Sequence, residues 1–182
     1  MKSNAHHNLK CCSIIGVFVV FALAGLWHFL YTWLPGPLTA VLSPVNESPW
    51  EHTKLFFMPM LIYFITGRLT VGKEYPRFTF AHTAVLPLLP LLMLGVFYLC
   101  EAVGVASLAA DLANTLIVIA FGMYLSYRLT VSTEQASGFN YSAIAWLIVL
   151  GLIVIFAVFT YLPPHASIFL DSNTLQYGIP LE

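Results

Sequence analysis

Runs of about twenty apolar residues, separated by short polar breaks, dictate what this chain can become. A hydrocarbon layer roughly 30 Å thick is crossed by about 20 helical residues, each rising ~1.5 Å. The runs at about 13–34, 49–71, 79–100, 106–128 and 141–162 meet that length. Inside lipid every backbone N–H and C=O must be satisfied within the segment, which selects helices. Composition agrees: 59% of the 182 residues are hydrophobic and 8% are charged, where a soluble domain carries about 25% charge. The expected fold is an all-α integral membrane protein, a bundle of five transmembrane helices forming one membrane domain over residues 1–182. Pro87 and Pro90 predict a kink in the third helix. Pro163 and Pro164 close the fifth.

The cations set an orientation. With the N-terminus inside, Lys2, Lys10, Arg68, Lys73, Arg77 and Arg128 all fall on or near the cytoplasmic side and only Lys54 falls outside. Glu47, Glu51, Glu101, Asp111, Asp171 and Glu182 then lie outside, and Glu74 and Glu134 inside. The loop 35–48 and the tail 163–182 share the outer side. The expected location is the cell (plasma) membrane, in multi-pass form with the lipid bilayer as partner. The first run follows Lys2 and Lys10 without a small-residue cleavage pattern, and reads as a retained helix.

Two function classes drop out. A formal net charge of −1 leaves no basic face for phosphates, so nucleic-acid binding has no support. Nucleophilic catalysis has no Gly-x-Ser-x-Gly elbow and no phosphate-cradling glycine loop to rest on. Cys11, Cys12 and Cys100 make no disulfide framework and read as small apolar residues near a membrane boundary.

The remaining chemistry gathers at one level. His28 lies about six residues below the outer end of the first helix, hence roughly 9 Å deep. Glu51 and His52 open the second helix, Glu101 closes the third, and Asp111 enters the fourth with Asn114 one turn deeper. Each charge placed in hydrocarbon costs about 2.5–3.5 kcal/mol on insertion scales, so such groups face the bundle interior and find partners. A shared outward-facing pocket accounts for them. Structural uses compete at several positions. Ser48, Pro49 and Glu51 fit a helix start, with Ser48 as N-cap, Pro49 at the first helical position and Glu51 closing a capping box. Glu51 and Lys54 are spaced for an ordinary surface ion pair. Trp50, with Trp27, Trp33 and Tyr31, fits an interfacial aromatic belt. Asn46-Glu47-Ser48 has the form of a glycosylation sequon, with Pro49 after it arguing against use. Asp111 and Asn114 have interhelical hydrogen bonding as their default role, and His82 reads as a hydrogen-bonded packing residue. Asn46, Glu47 and His52 have no adequate structural role. In the tail, Asp171-Ser172-Asn173-Thr174 and Tyr177-Gly178 mix turn formers with polar groups; a strap over the outer mouth and a disordered end are both open readings.

Imidazoles with carboxylate oxygens form a common set for zinc and other divalent ions. His28, His52, Glu47 and Glu51 are the candidate ligands, although Glu47-x-x-x-Glu51-His52 matches no established metal motif.

The segments His28-Phe29-Leu30-Tyr31-x-Trp33 and Ser43-Pro44-Val45-Asn46-Glu47-Ser48-x-Trp50-Glu51-His52-x-Lys54-Leu55-x-Phe57-x-Pro59 resemble an uncharacterised family of small multi-pass membrane proteins found mainly in Gram-positive bacteria. The tail Asp171-x-x-Thr174-x-x-Tyr177-Gly178 is similar to the end of those proteins. The chain departs from the family at Thr32, where an acid is common, and at Ser172 and Leu175, where Pro and Gly are expected. The resemblance implies membership and membrane location, and no activity.

The leading expectation is a pocket that takes a small ligand or cation, with His28, Asn46, Glu47, Glu51, His52 and Asp111 as binding candidates and Asp171 to Gly178, including Tyr177, as its lid. A second is an intramembrane metal-assisted hydrolase acting on lipid or an envelope precursor, with His28 and His52 as ligands and Glu51 or Glu47 as base. A third is a structural subunit of a membrane complex, in which the same groups are caps and glue. Residue types alone do not decide whether the chain is an enzyme.

Overall fold

The computed structural model describes residues 2–132 and 141–180, with helix as its regular structure. The chain runs through α1 (Lys2–His28), α2 (Leu30–Trp33), α3 (Pro37–Leu42), α4 (Pro49–His52), α5 (Lys54–Leu69), α6 (Phe78–Val85), α7 (Leu88–Ala102), α8 (Leu108–Val131) and α9 (Tyr141–Tyr161). Short 3-10 turns occupy Val71–Glu74 and Ser167–Phe169. Glu134 and Glu182, two of the acids used for orientation, lie outside the described residues.

Among the described residues, four helices are long and apolar enough to cross a membrane: His6–His28, Phe78–Ala102, Leu108–Val131 and Ser142–Tyr161. They correspond to the first, third, fourth and fifth sequence runs. The first helix starts earlier than its apolar run and stops at His28, where Phe29 turns the chain into α2. The third is broken where expected, with Pro87 capping α7. The second run is divided at Thr53 into α4 and the 16-residue α5.

That division matters because α5 is the hub. Lys54 through Met60 are buried without a gap, and α5 touches α1, α4, α6, α7 and α8. A helix apolar all round belongs at the centre of its bundle. Phe57 and Met60 of α5 meet Val20 of α1, Leu89 of α7, Val118 and Ile119 of α8 and Phe156 of α9 in one core. Lipid tails are as apolar as leucine, so close packing and interhelical hydrogen bonds hold such a core. Gly122 of α8 shows the packing: a Cβ there would lie 2.8 Å from Leu89 Cδ2 and 3.0 Å from Met60 Cε. The Tyr63 hydroxyl donates to the Cys12 carbonyl at 2.7 Å, joining α5 to α1. Asn114 Nδ2 donates to the Met93 carbonyl at 3.2 Å, joining α8 to α7. His82 is buried between Phe64 and Phe78 and donates Nδ1–H to the Phe78 carbonyl at 2.8 Å.

Candidate functional site

The loop between α3 and α4 is built to present one side chain. Ser43, Pro44, Val45, Asn46 and Ser48 are buried, and Glu47 alone in that stretch is partly exposed. Val45 N–H donates to Glu51 Oε2 at 3.1 Å. Ser48 N–H donates to Asn46 Oδ1 at 2.9 Å, and Asn46 Nδ2 donates to the Gly178 carbonyl at 2.7 Å. Ser48 Oγ accepts from Glu51 N–H at 3.3 Å, and Pro49 opens α4. The N-cap is therefore made as the sequence implies, but the reciprocal half of the capping box is not: the Glu51 carboxylate turns to Val45 and Lys54.

Lys54 corrects a sequence expectation. Its pair with Glu51 is not on the surface; the two side chains are 0% and 3% exposed, with Nζ to Oε2 at 2.6 Å. Nζ also donates to the Ala40 carbonyl at 2.9 Å, the Ser43 carbonyl at 3.3 Å and Thr160 Oγ1 at 2.7 Å. Thr160 Oγ1 lies 3.1 Å from Glu51 Oε1 and 2.8 Å from the Phe156 carbonyl, either of which takes its proton. Ala40 of α3, Ser43 just after it and Thr160 of α9 bring the pair indoors, the last from 106 positions away. Trp50 packs on Phe156, Phe159 and Phe169.

On the other side of α4 three ligating atoms converge. His52 Nε2 lies 3.3 Å from His28 Nε2 and 3.1 Å from Glu47 Oε2, and His28 Nε2 lies 3.6 Å from the same oxygen. His28 ends α1, His52 ends α4, and Glu47 hangs from the fixed loop. Hydrogen bonding to His28 and then to His52 holds the Glu47 carboxyl well below the usual carboxylate range. Among the described residues this is the group of three His, Cys, Asp or Glu side chains that could hold a metal ion. Glu51, the fourth sequence candidate, is not in it.

The triangle borders a cavity of about 430 Å³, also lined by Phe56, Met93, Phe97, Asp111 and Asn114. Glu101 and Thr115 contribute to its wall as well. The tail covers one side through Ser167, Leu170, Ser172 and Asn173. It is an ordered strap: Leu170 and Tyr177 pair as an isolated antiparallel bridge, and Asp171 N–H donates to the Gln176 carbonyl at 3.0 Å. Asp171 is buried, and its Oδ1 accepts from Asn173 and Thr174 N–H at 2.7 and 3.3 Å. That carboxylate therefore shapes the turn and does not line the cavity. Tyr177 stacks on His165 with ring centroids 4.6 Å apart, also away from the cavity wall. Asn46 fixes the strap to the loop. Gly178 sits at φ +71°, and a Cβ there would lie 3.1 Å from the Thr160 carbonyl oxygen. Ser172 and Asn173 fall within the lid that the sequence implied, whereas Ser167 and Leu170 lie before it and were missed as wall residues.

No curated protein and no solved structure matches the chain. A family model matches residues 1–179, nearly the whole length, and the chain belongs to that family, described as a family of unknown function (DUF6512).

Proposed function

We propose that this is a multi-pass protein of the cell membrane whose outward-facing pocket binds a divalent transition cation at His28, Glu47 and His52. The observation that carries the reading is the size of the triangle. A tetrahedral ion at roughly 2.0–2.1 Å from each ligand needs edges of about 3.3–3.4 Å, and the three edges are 3.1, 3.3 and 3.6 Å. An ion about 2.0–2.1 Å from all three atoms stands only ~0.7 Å out of their plane, as in a tetrahedron with one position open. Two neutral imidazoles and a carboxylate held in its charged form suit zinc and its first-row neighbours. Elemental analysis of detergent-purified protein tests it. Stoichiometric zinc, iron or manganese that disappears in the His28→Ala/His52→Ala double variant is expected; a wild type without bound metal after zinc loading refutes the reading.

The membrane topology belongs to the same proposal. Pro49–Leu69 spans roughly 30 Å at 1.5 Å per residue, enough for α4 and α5 together to make a fifth pass. The N-terminus is then cytoplasmic, and the cavity and the strap lie outside. A reporter fused after Glu182 is expected to be active only outside the cytoplasm; cytoplasmic activity would put the cavity on the inner side.

One observation favours a hydrolase as the second reading. His28, Glu47 and His52 line the 430 Å³ cavity, which leaves room for a substrate beside a Lewis acid that they would hold. Glu51, engaged by Lys54, is unsuited to act as its base. Turnover of a lipid or envelope-precursor ester by zinc-loaded protein, lost on Glu47→Gln, tests this reading; hydrolysis unchanged by chelation would exclude it.

A further inference from the structure

The wall made by α8 carries an independent signal. Asn114 is 4% exposed and lines the cavity, and its Nδ2 is engaged by the Met93 carbonyl. Its Oδ1 is buried with no hydrogen-bond partner among the described residues. Leaving a buried acceptor without a donor is unfavourable, so this amide offers an acceptor to a donor that reaches the α8 wall. Asp111 lies one turn away at i−3, on the same face of α8. Its carboxylate has no ion-pair partner among the described residues, and Glu101 adds a third carboxylate to the cavity beside Glu47. No lysine or arginine lines the cavity among the described residues. The rest of this wall is apolar, with Phe56, Met93 and Phe97 within the same space.

We infer that Asp111 and Asn114 form a subsite for the ammonium group of a small organic amine, whose apolar portion lies along Phe56, Met93 and Phe97. An ammonium has N–H groups enough to bridge the two: a charge-assisted bond to the Asp111 carboxylate and a bond to Asn114 Oδ1. An alcohol supplies one donor and no charge. A carboxylate ligand meets acids of its own sign and an amide oxygen that offers it nothing. The subsite lies in the cavity of the proposed metal centre but needs no ion at the triangle.

Hexylamine, 1-hexanol and hexanoate, which share one chain length, separate these cases. Each is titrated calorimetrically into the detergent-purified full chain at pH 7, once with zinc and once with a chelator. Hexylammonium is expected to bind about tenfold or more tightly than hexanol, with hexanoate weaker than both, and to do so in the chelated protein as well. Asp111→Asn, an exposed position that leaves the fold alone, is expected to abolish the preference for the amine over the alcohol. Asn114→Leu, which removes the buried acceptor, is expected to weaken amine binding by a further severalfold. Equal binding of the three probes, or an amine preference that survives Asp111→Asn, overturns the inference. So does amine binding that vanishes on chelation, which assigns the amine to the metal. A protein that never loads zinc yet selects the amine defeats the metal proposal and sustains this one.

Discussion

Glu51 and His52 are neighbours in a single helical turn, yet they serve clusters of opposite character. On one side, Glu51, Lys54 and Thr160 form a closed group, in which the ammonium and both carboxylate oxygens have partners and water has no access. On the other, His28, Glu47 and His52 bring three electron-rich atoms to within 3.6 Å of one another beside a cavity. Two imidazole nitrogens 3.3 Å apart share one proton, supplied by whichever ring carries it at Nε2, or hold one cation, and the carboxylate beside them keeps acceptor capacity to spare. Completeness separates scaffold from site better than residue type does, because the two clusters draw on nearly the same chemistry.

The largest expected effect breaks the closed cluster. Lys54→Met leaves Glu51 buried and unpaired and is expected to cost about 3–5 kcal/mol, read as a large drop in melting temperature in detergent or loss of folded protein. Adding Glu51→Gln to that variant is expected to restore much of the loss, since both charges are then gone. A double variant as unstable as the single one would mean that the pair is not the unit. The open cluster should behave in the opposite way. Glu47→Gln is expected to leave the metal-free melting temperature nearly unchanged while removing the stabilisation by zinc. At an ion concentration a hundred times its dissociation constant, that stabilisation is about 2.7 kcal/mol in the wild type.

Acid sharpens the contrast. Imidazole ligates only when unprotonated, so the zinc-induced rise in melting temperature is expected to shrink as the pH is lowered. The sign follows from competition: protons and metal seek the same lone pairs, and lowering pH favours protons. The Glu47 carboxyl, held in its charged form by the histidines, contributes above its ordinary range and is lost only at pH well below it. A zinc effect that grows with acidity would exclude imidazole ligation. The smallest effect tests the loop both clusters share. Ser48→Ala is expected to cost about 1 kcal/mol through the lost N-cap, lowering the melting temperature with and without zinc alike.

Hydropathy made the four long helices legible, because a lipid-facing helix is selected by length and apolarity alone. The same signal could not reveal that α5 is the hub: a helix apolar all round reads alike whether lipid or protein surrounds it. His28 and His52 were legible as one level along the helices, a one-dimensional property of the sequence, and Glu47 as a loop carboxylate without a structural role. Which of Glu51 and His52 faced His28 was not, since that depends on how α4 is rotated about its axis. Lys54 was misread because the i, i+3 spacing to Glu51 is identical for exposed and buried pairs. The burial comes from Ala40, Ser43 and Thr160, the last more than a hundred positions away. In the tail, the Asp-Ser-Asn-Thr turn chemistry was visible, but ligand and turn former share the same side chain.

The adjacency of Glu51 and His52 also fixes how ions would come and go. Rotating α4 to open the triangle would pull Glu51 from Lys54, and the whole first loop would follow, so that route is mechanically locked. The strap is held across the mouth by the Asn46 to Gly178 contact, by a tight bend at that glycine, and by Phe169 packed on Trp50 and Phe159. An ion reaching the proposed site would therefore meet a rigid frame on the α4 side and, opposite it, a strap whose release breaks an amide bond and the packing of Phe169.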